Sequence, residues 1–255
     1  MTTAGLRLTG NRTLRRVLTW AILPTVAMAA LGAQAPTQPG PIVILAPHPD
    51  DETLGCGGLI ARRIHEGRRV VVVVLTDGRA LLKRFGVTSN PSPAEVSQLR
   101  KDETIRAVEI LGGRASDIRF LDFENERLVE QKVAALARIS ALLTELAPDE
   151  VYFPSPFEGH AEHVVTNEIA RAACAATRAY PATFEFVVNL KRGEQIETLP
   201  RRLHPVDVSA HRDREQRALT QFRSHLDILY KGQAAPLAAD YDRYLTAEEP
   251  FLVER

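Results

Sequence analysis

The sequence predicts an α/β fold in which a mostly parallel β-sheet is flanked by helices. Three observations carry that expectation. From Pro41 onward, short β-branched runs alternate with longer amphipathic stretches, as βαβ units require. The stretch from Val70 to Val74 is all valine, which suits a strand covered on both faces. The chain has 255 residues, 45% hydrophobic and 25% charged, enough to close one well-buried core.

The elements follow in order. Ile42 to Ala46 is a continuous apolar run and reads as the first strand; Leu54 to Glu66 has helical spacing, and Arg69 to Leu75 is the second strand. Gly78 to Pro93 lacks periodicity and contains Gly86, Asn90, Pro91 and Pro93, so a long loop is expected there, of the kind that serves as a lid. Ser97 to Leu111 is a helix ended by Gly112-Gly113. Asp117 to Leu121 and Glu150 to Phe153 are strands, with a helix from Leu128 to Leu146 between them. Ala161 to Ala176 reads as a helix, Thr183 to Leu190 as a strand, and Arg212 to Leu229 as one last long helix. The tail after Gly232 is mixed, with Phe251-Leu252-Val253 suited to docking on the body.

Lys plus Arg equals Asp plus Glu at 32 each, so no basic excess draws nucleic acid. The expected partner is a small or neutral molecule. Residues 1–35 differ from the rest: Arg7, Arg12, Arg15 and Arg16 stand with no acidic residue ahead of the apolar run Val17 to Ala33. That is the outline of a secretion leader. Pro24 interrupts the run and Pro36 follows Ala33-Gln34-Ala35, so cleavage there competes with Ala27-Met28-Ala29 and with retention as an N-terminal membrane anchor. The expectation is a signal peptide or anchor over 1–35 and a single domain over 36–255. Export places the domain in a periplasmic or extracellular setting, or on a membrane through its N-terminus; a start codon set too far upstream leaves a cytoplasmic protein. Cys56 and Cys174 allow one disulfide at most and read as small buried residues.

The first strand runs directly into Pro47-His48-Pro49-Asp50-Asp51-Glu52-Thr53. Three carboxylates and an imidazole within five residues repel one another unless a cation neutralises them, and ligands in open α/β sheets bind at carboxyl ends of strands. A divalent metal is the economical occupant. His160-Ala161-Glu162-His163 follows the strand Glu150 to Phe153, and i, i+3 spacing puts both imidazoles on one helix face. Both clusters can meet over one crevice, where His48, Asp51 and His163 supply three ligands and leave a position for water, the pattern of catalytic zinc. A His-x-x-His pair or an Asp-Asp pair alone is commonly a surface or capping arrangement; the joint occurrence after two strands is what carries weight.

These residues resemble the PIG-L/LmbE-like N-acetylglucosaminyl deacetylases. Pro47-His48-Pro49-Asp50-Asp51-Glu52 is similar to that family's Ala-His-Pro-Asp-Asp-Glu motif, and His160-Ala161-Glu162-His163 to its His-Pro-Asp-His motif. Leu75-Thr76-Asp77-Gly78, Arg100 to Glu103 and Phe120-Leu121 add to the similarity, which spans Pro41 to Leu226. The resemblance implies a Rossmann-like three-layer sandwich, zinc (Zn2+) as cofactor on His48, Asp51 and His163, Asp50 as general base, and His160 as the group that polarises the carbonyl or stabilises the oxyanion. It also implies an N-acetylated amino sugar as substrate. The chain departs from the motif at Ala161 and Glu162, and Asn125 stands where many members have Asp. Glu162 is expected to orient His160, Asp77, Arg79 and Asn125 to contact substrate, and Glu52 to serve the helix dipole more than the site. His65, His204, His211 and His225 read as structural or surface residues.

The leading expectation is a zinc-dependent hydrolase that removes the acetyl group from an N-acetylglucosamine-type sugar, glycan or glycolipid. A metal-dependent sugar-binding protein without turnover is the alternative; it has no need of Asp50 and His160. A metal phosphoesterase lacks an obvious Arg or Lys clamp, although Arg79 is close.

Overall fold

The computed structural model describes residues 39–83, 86–226 and 241–254. The expected leader over 1–35 lies outside them, as do residues 227–229 of the last expected helix.

The elements are β1 (Ile42–Ala46), α1 (Asp51–His65), β2 (Val70–Thr76), α2 (Pro93–Leu111), β3 (Ile118–Phe123), α3 (Lys132–Leu146), β4 (Glu150–Pro154), α4 (Ala161–Ala176), β5 (Ala182–Phe186), β6 (Arg202–Asp207), α5 (Arg212–Leu219), α6 (Arg223–Leu226) and β7 (Glu248–Val253). The sheet order is β3-β2-β1-β4-β5-β7-β6. Pairings from β3 through β5 are parallel, and β7 joins antiparallel to both β5 and β6.

Strand alternation divides the core into two layers. Ile42, Ile44, Val70, Val72, Tyr152 and Phe186 face α1, α2 and α5, where Leu59, Ile60, Val108, Leu111 and Leu219 meet them. Val43, Leu45, Val71, Val73, Val151 and Phe153 face α3 and α4 through Ile139, Leu143 and Ile169. Helices therefore cover both faces of a mostly parallel sheet, the three-layer sandwich. Every residue of β1 and β2 is buried, as their unbroken apolar sequences require. Cys56 and Cys174 are both buried and free.

The chain runs from β1 outward to β2 and β3, and from β4 in the opposite direction to β5. The strand order thus reverses between β1 and β4, which opens a crevice at their carboxyl ends. The two motif loops leave from those two strands.

Several boundaries differ from expectation. Helix α2 begins at Pro93, because Ser92 caps it in a reciprocal capping box with Glu95 and proline suits the first turn. Strand β5 stops at Phe186, well short of Leu190. The expected continuous helix from Arg212 is broken after Leu219 and resumes as α6 at Arg223. Strand β6 has no counterpart among the expected elements, while Phe251-Leu252-Val253 docks as part of β7, with Phe251 and Leu252 fully buried.

Candidate metal centre and active site

The loop after β1 is held rigidly. Thr76 donates from its backbone N–H and its hydroxyl to the Pro47 carbonyl, each at 2.9 Å, which extends the β1–β2 pairing into the motif. Asp50 then adopts φ 117°, a conformation that L residues rarely occupy. Its N–H donates to Glu52 Oε2 at 3.0 Å, and Thr53 donates to Glu52 Oε1 at 3.0 Å. Glu52 is fully buried, and burial pushes its carboxyl up to about 8. It is therefore an anchor for the turn at Asp50, not the solvated helix-start acid expected from sequence.

That turn aims the two aspartates apart. Asp51 Oδ2 accepts from the His48 N–H at 2.9 Å and lies 3.0 Å from His48 Nδ1 and 3.2 Å from His163 Nε2. A tetrahedral zinc with arms of about 2.0–2.1 Å has edges of roughly 3.3–3.4 Å, close to the two separations from Asp51 Oδ2. Ring nitrogens of His48, His160 and His163 also lie within 4.8 Å of one another, so His160 borders the same place. Two imidazoles with one carboxylate suit zinc better than magnesium, which favours oxygen donors throughout.

The outer edges of the imidazoles are also engaged. His48 Nε2 lies 2.8 Å from Glu162 Oε2. Glu162 further accepts from Asn125 Nδ2 at 2.7 Å and from the Leu128 N–H at 3.1 Å. Burial opposes its ionisation, but the bonds from His48 and Leu128 prevail and hold it at about 2. This corrects the expected pairing: Glu162 steadies His48, not His160, because the first turn of α4 points its side chain across the crevice toward β1. His163 Nδ1 faces Glu158 Oε2 at 3.5 Å, with no well-aligned hydrogen bond. Glu158, fully buried, also accepts from the N–H groups of Val188 and Asn189. Carboxylates behind ligand imidazoles in this way fix ring orientation.

His160 caps α4: its Nδ1 accepts from the Glu162 N–H at 3.3 Å. The proton of the neutral ring then sits on Nε2. Burial, and after it the neighbouring His48 and His163, push this imidazole down to about 4, so the ring is neutral at physiological pH.

Asp50 faces another set. Its Oδ2 lies 3.2 Å from Arg100 Nη2 and 3.4 Å from His225 Nε2. Arg100 crosses from α2 beneath the loop and donates to the carbonyls of Gly78 and Pro49. Gly78, at φ 64°, has no room for a Cβ, which would sit 2.5 Å from Arg100 Nη1.

A cavity of about 310 Å3 opens over these groups, lined by His48, Asp50, Asp51, Arg100, His160, His163 and His225. Its outer wall includes Asn189, Tyr241, Arg243 and Tyr244. Asn125 reaches the wall, though its amide is held by Glu162 and the Ala80 N–H. Asp77 and Arg79, expected as substrate contacts, are paired with each other away from the cavity lining; Asp77 is buried and also braces the Asn125 and Arg79 N–H groups. The loop from Gly78 contributes Ala80 and Leu81. Sequence reading missed Glu158, His225 and the Tyr241–Tyr244 wall. Of these, only His225 stands out in the sequence, where it reads as a structural or surface residue.

The profile of the PIG-L family, GlcNAc-PI de-N-acetylase, matches residues 43–174. The chain is similar to a 1D-myo-inositol 2-acetamido-2-deoxy-alpha-D-glucopyranoside deacetylase of Rhodococcus erythropolis, 32% identical over an alignment of 170 residues, with 56% of each chain covered. The chain spans about half the length of the curated relatives it matches. Among solved structures, the N,N'-diacetylchitobiose deacetylase of Pyrococcus horikoshii superposes with a TM-score of 0.64 at 18% identity, covering 84% of both chains. The 4-carboxy-2-hydroxymuconate hydratase of Pseudomonas putida superposes with 0.56 at 24% identity, covering 72% of this chain and 79% of that one. The shared fold thus carries more than one reaction, and the argument for activity rests on the site.

Proposed function

The chain belongs to the GlcNAc-PI de-N-acetylase (PIG-L) family, and from that membership we propose that it is a zinc-dependent N-deacetylase acting on an N-acetylglucosamine-type sugar, glycan or glycolipid. The observation that carries the reading is the convergence of His48 Nδ1, Asp51 Oδ2 and His163 Nε2 beside a cavity lined by Asp50 and His160. Zinc held by those three atoms would supply Lewis acidity to the acetamide carbonyl and to water. The rest belongs to the protein. Asp50, which burial pushes up to about 7 against the pull of Arg100, is poised to accept the proton of the attacking water. Hydroxide adds to the carbonyl carbon, and the Nε2–H of neutral His160 donates to the oxyanion that develops. The C–N bond then breaks, the Asp50 proton passes to the departing amine, and acetate and the free amino sugar leave.

Nitrogen donors set the choice of zinc over magnesium. The test is acetate release from a panel of N-acetylated sugars, glycosides and glycolipids by purified protein, with zinc and after chelation. Metal-dependent acetate release supports the reading. Sugars that raise the melting temperature without releasing acetate would instead identify a binding protein without turnover.

A further inference from the structure

His225 is left over from this scheme. It sits on the short helix α6, beyond the break that separates α6 from α5, and it lines the cavity opposite the three candidate ligands. A chain of contacts leads to it from the buried side. Glu103 on α2, fully buried, accepts from the Ser224 N–H at 2.9 Å and from the Ser224 hydroxyl at 2.7 Å. Ser224 Oγ lies 3.3 Å from His225 Nδ1, and His225 Nε2 lies 3.4 Å from Asp50 Oδ2.

The direction of these bonds follows from counting hydrogens. A serine hydroxyl has one proton, and Glu103 takes it. Ser224 Oγ can therefore only accept from His225, which puts a proton on Nδ1. The opposite edge of the ring, Nε2, faces Asp50 Oδ2, and one proton between the two groups completes the contact. Arg100 Nη2 reaches the same Oδ2 from α2 at 3.2 Å. With Arg100 and His225 both against one oxygen, the carboxyl group cannot rotate freely about Cβ–Cγ, so the direction of Oδ1 is set.

We propose that His225 is a positioning residue: held through Ser224 by Glu103, it pairs with Arg100 to fix the Asp50 carboxylate in the orientation that meets the reacting water. This rests on the role given to Asp50 above.

The experiment uses the full chain and the variants His225→Leu, His225→Gln and Ser224→Ala. Metal content and melting temperature are measured beside kcat and KM on whichever N-acetyl sugar the wild type hydrolyses. His225→Leu is expected to keep its zinc and its KM while kcat falls roughly 10- to 100-fold, the scale on which misplaced catalytic groups cost rate. His225→Gln retains an N–H donor and recovers part of that loss. Ser224→Ala loses less, and the double variant with His225→Leu falls no further than His225→Leu alone, because both act through one contact. Unchanged kcat in His225→Leu overturns the proposal, as does a kcat loss that appears only with loss of zinc or of melting temperature in both His225 variants. A second readout does not need turnover. In isotope-labelled metal-free protein, the His225 ring resonances are expected to move when Asp50 becomes Asn; no movement overturns the contact. If the wild type hydrolyses no sugar in the panel, the deacetylase reading fails while this measurement still decides the pairing.

Discussion

Asp50 and Asp51 are adjacent in sequence and opposite in environment. Asp51 stays ionised: burial works against it, but His163 and His48 hold its carboxyl well below the usual carboxylate range. Asp50 is pushed up to about 7 by burial. Their amide variants should therefore fail differently. Asp50→Asn keeps the shape of the site but cannot take a proton, so it should retain zinc and lose turnover by roughly 10²- to 10⁴-fold. Asp51→Asn and His163→Ala should lose zinc, whereas His160→Ala should keep the metal and lose rate, since its donor acts on charge that develops during the reaction. Zinc content measured beside acetate release checks all four. Asp50→Asn without metal, together with a fully active Asp51→Asn, would reverse the assignment. At this scale the motif residues were legible because chain spacing alone brings His48 to Asp51 and His160 to His163. The partners of Glu162 and Glu158 were not. Which imidazole a carboxylate steadies depends on how β1 and β4 pair, Ile42 opposite Glu150, and local spacing carries no trace of that register.

Helix α1 shows how an element can be shaped by residues far along the chain. It is kinked at Cys56, where φ is −147°, and the N–H groups of Gly58 and Leu59 donate instead to Glu249 at 2.7 and 2.9 Å. Strand β7 thus caps the second half of the helix that begins at Asp51. Glu215 of α5 packs at the same kink, close enough that a Cβ on Gly57 would meet its Cγ at 2.9 Å. It is fully buried, neither of its oxygens has a hydrogen-bond partner, and burial pushes its carboxyl up to about 7 from an ordinary 4.5. A carboxyl raised on folding binds its proton more tightly in the native state. Its stabilising contribution is then complete below about pH 4.5 and is lost as pH rises toward 7. Glu215→Gln cannot ionise and should be more stable than wild type at pH 8, on the order of 2–3 kcal/mol, with little difference at pH 4. Urea melts at both pH values measure this; equal gains at both would place the effect in packing and not in charge. The helices and strands up to α4 were readable because each has one strong period, while the kink, the break after Leu219 and the hairpin β6–β7 were not. Strands β6 and β7 contain Pro205 and Pro250, β6 being mostly exposed and β7 mixing exposed with buried positions, so neither presents the apolar run that marks β1 and β2.

At the scale of the molecule, the reversal of strand order between β1 and β4 gathers the two motifs; their meeting over one crevice was expected from their places after two strands, while the strand order itself was not. A metal held at that junction would tie β1, α1 and α4 together, so it should act on the stability of the body as a whole. Zinc at about 100 times its Kd should add ~2.7 kcal/mol, seen as a raised melting temperature that chelation reverses and that Asp51→Asn lacks. A zinc response unchanged in Asp51→Asn would place the metal elsewhere. The remaining prediction concerns residues 1–35, where four arginines without an acidic partner precede the apolar run from Val17 to Ala33. The described body closes both of its apolar layers with its own helices. An export signal accounts for the arginine-rich start and the apolar run together: the charges hold the start on the near side of the membrane while the run enters it. Without those arginines, the chain carries 28 basic against 32 acidic residues, a mildly acidic body. We therefore expect the full chain, expressed with its own N-terminus, to leave the cytoplasm. Fractionation with mass measurement of the N-terminus checks it. A shortened chain in the periplasm or medium indicates cleavage, and an intact chain released only by detergent indicates an anchor. Recovery of the intact chain in the cytosol, with residues 1–35 still attached, would sink the export reading and return the site to a cytoplasmic substrate.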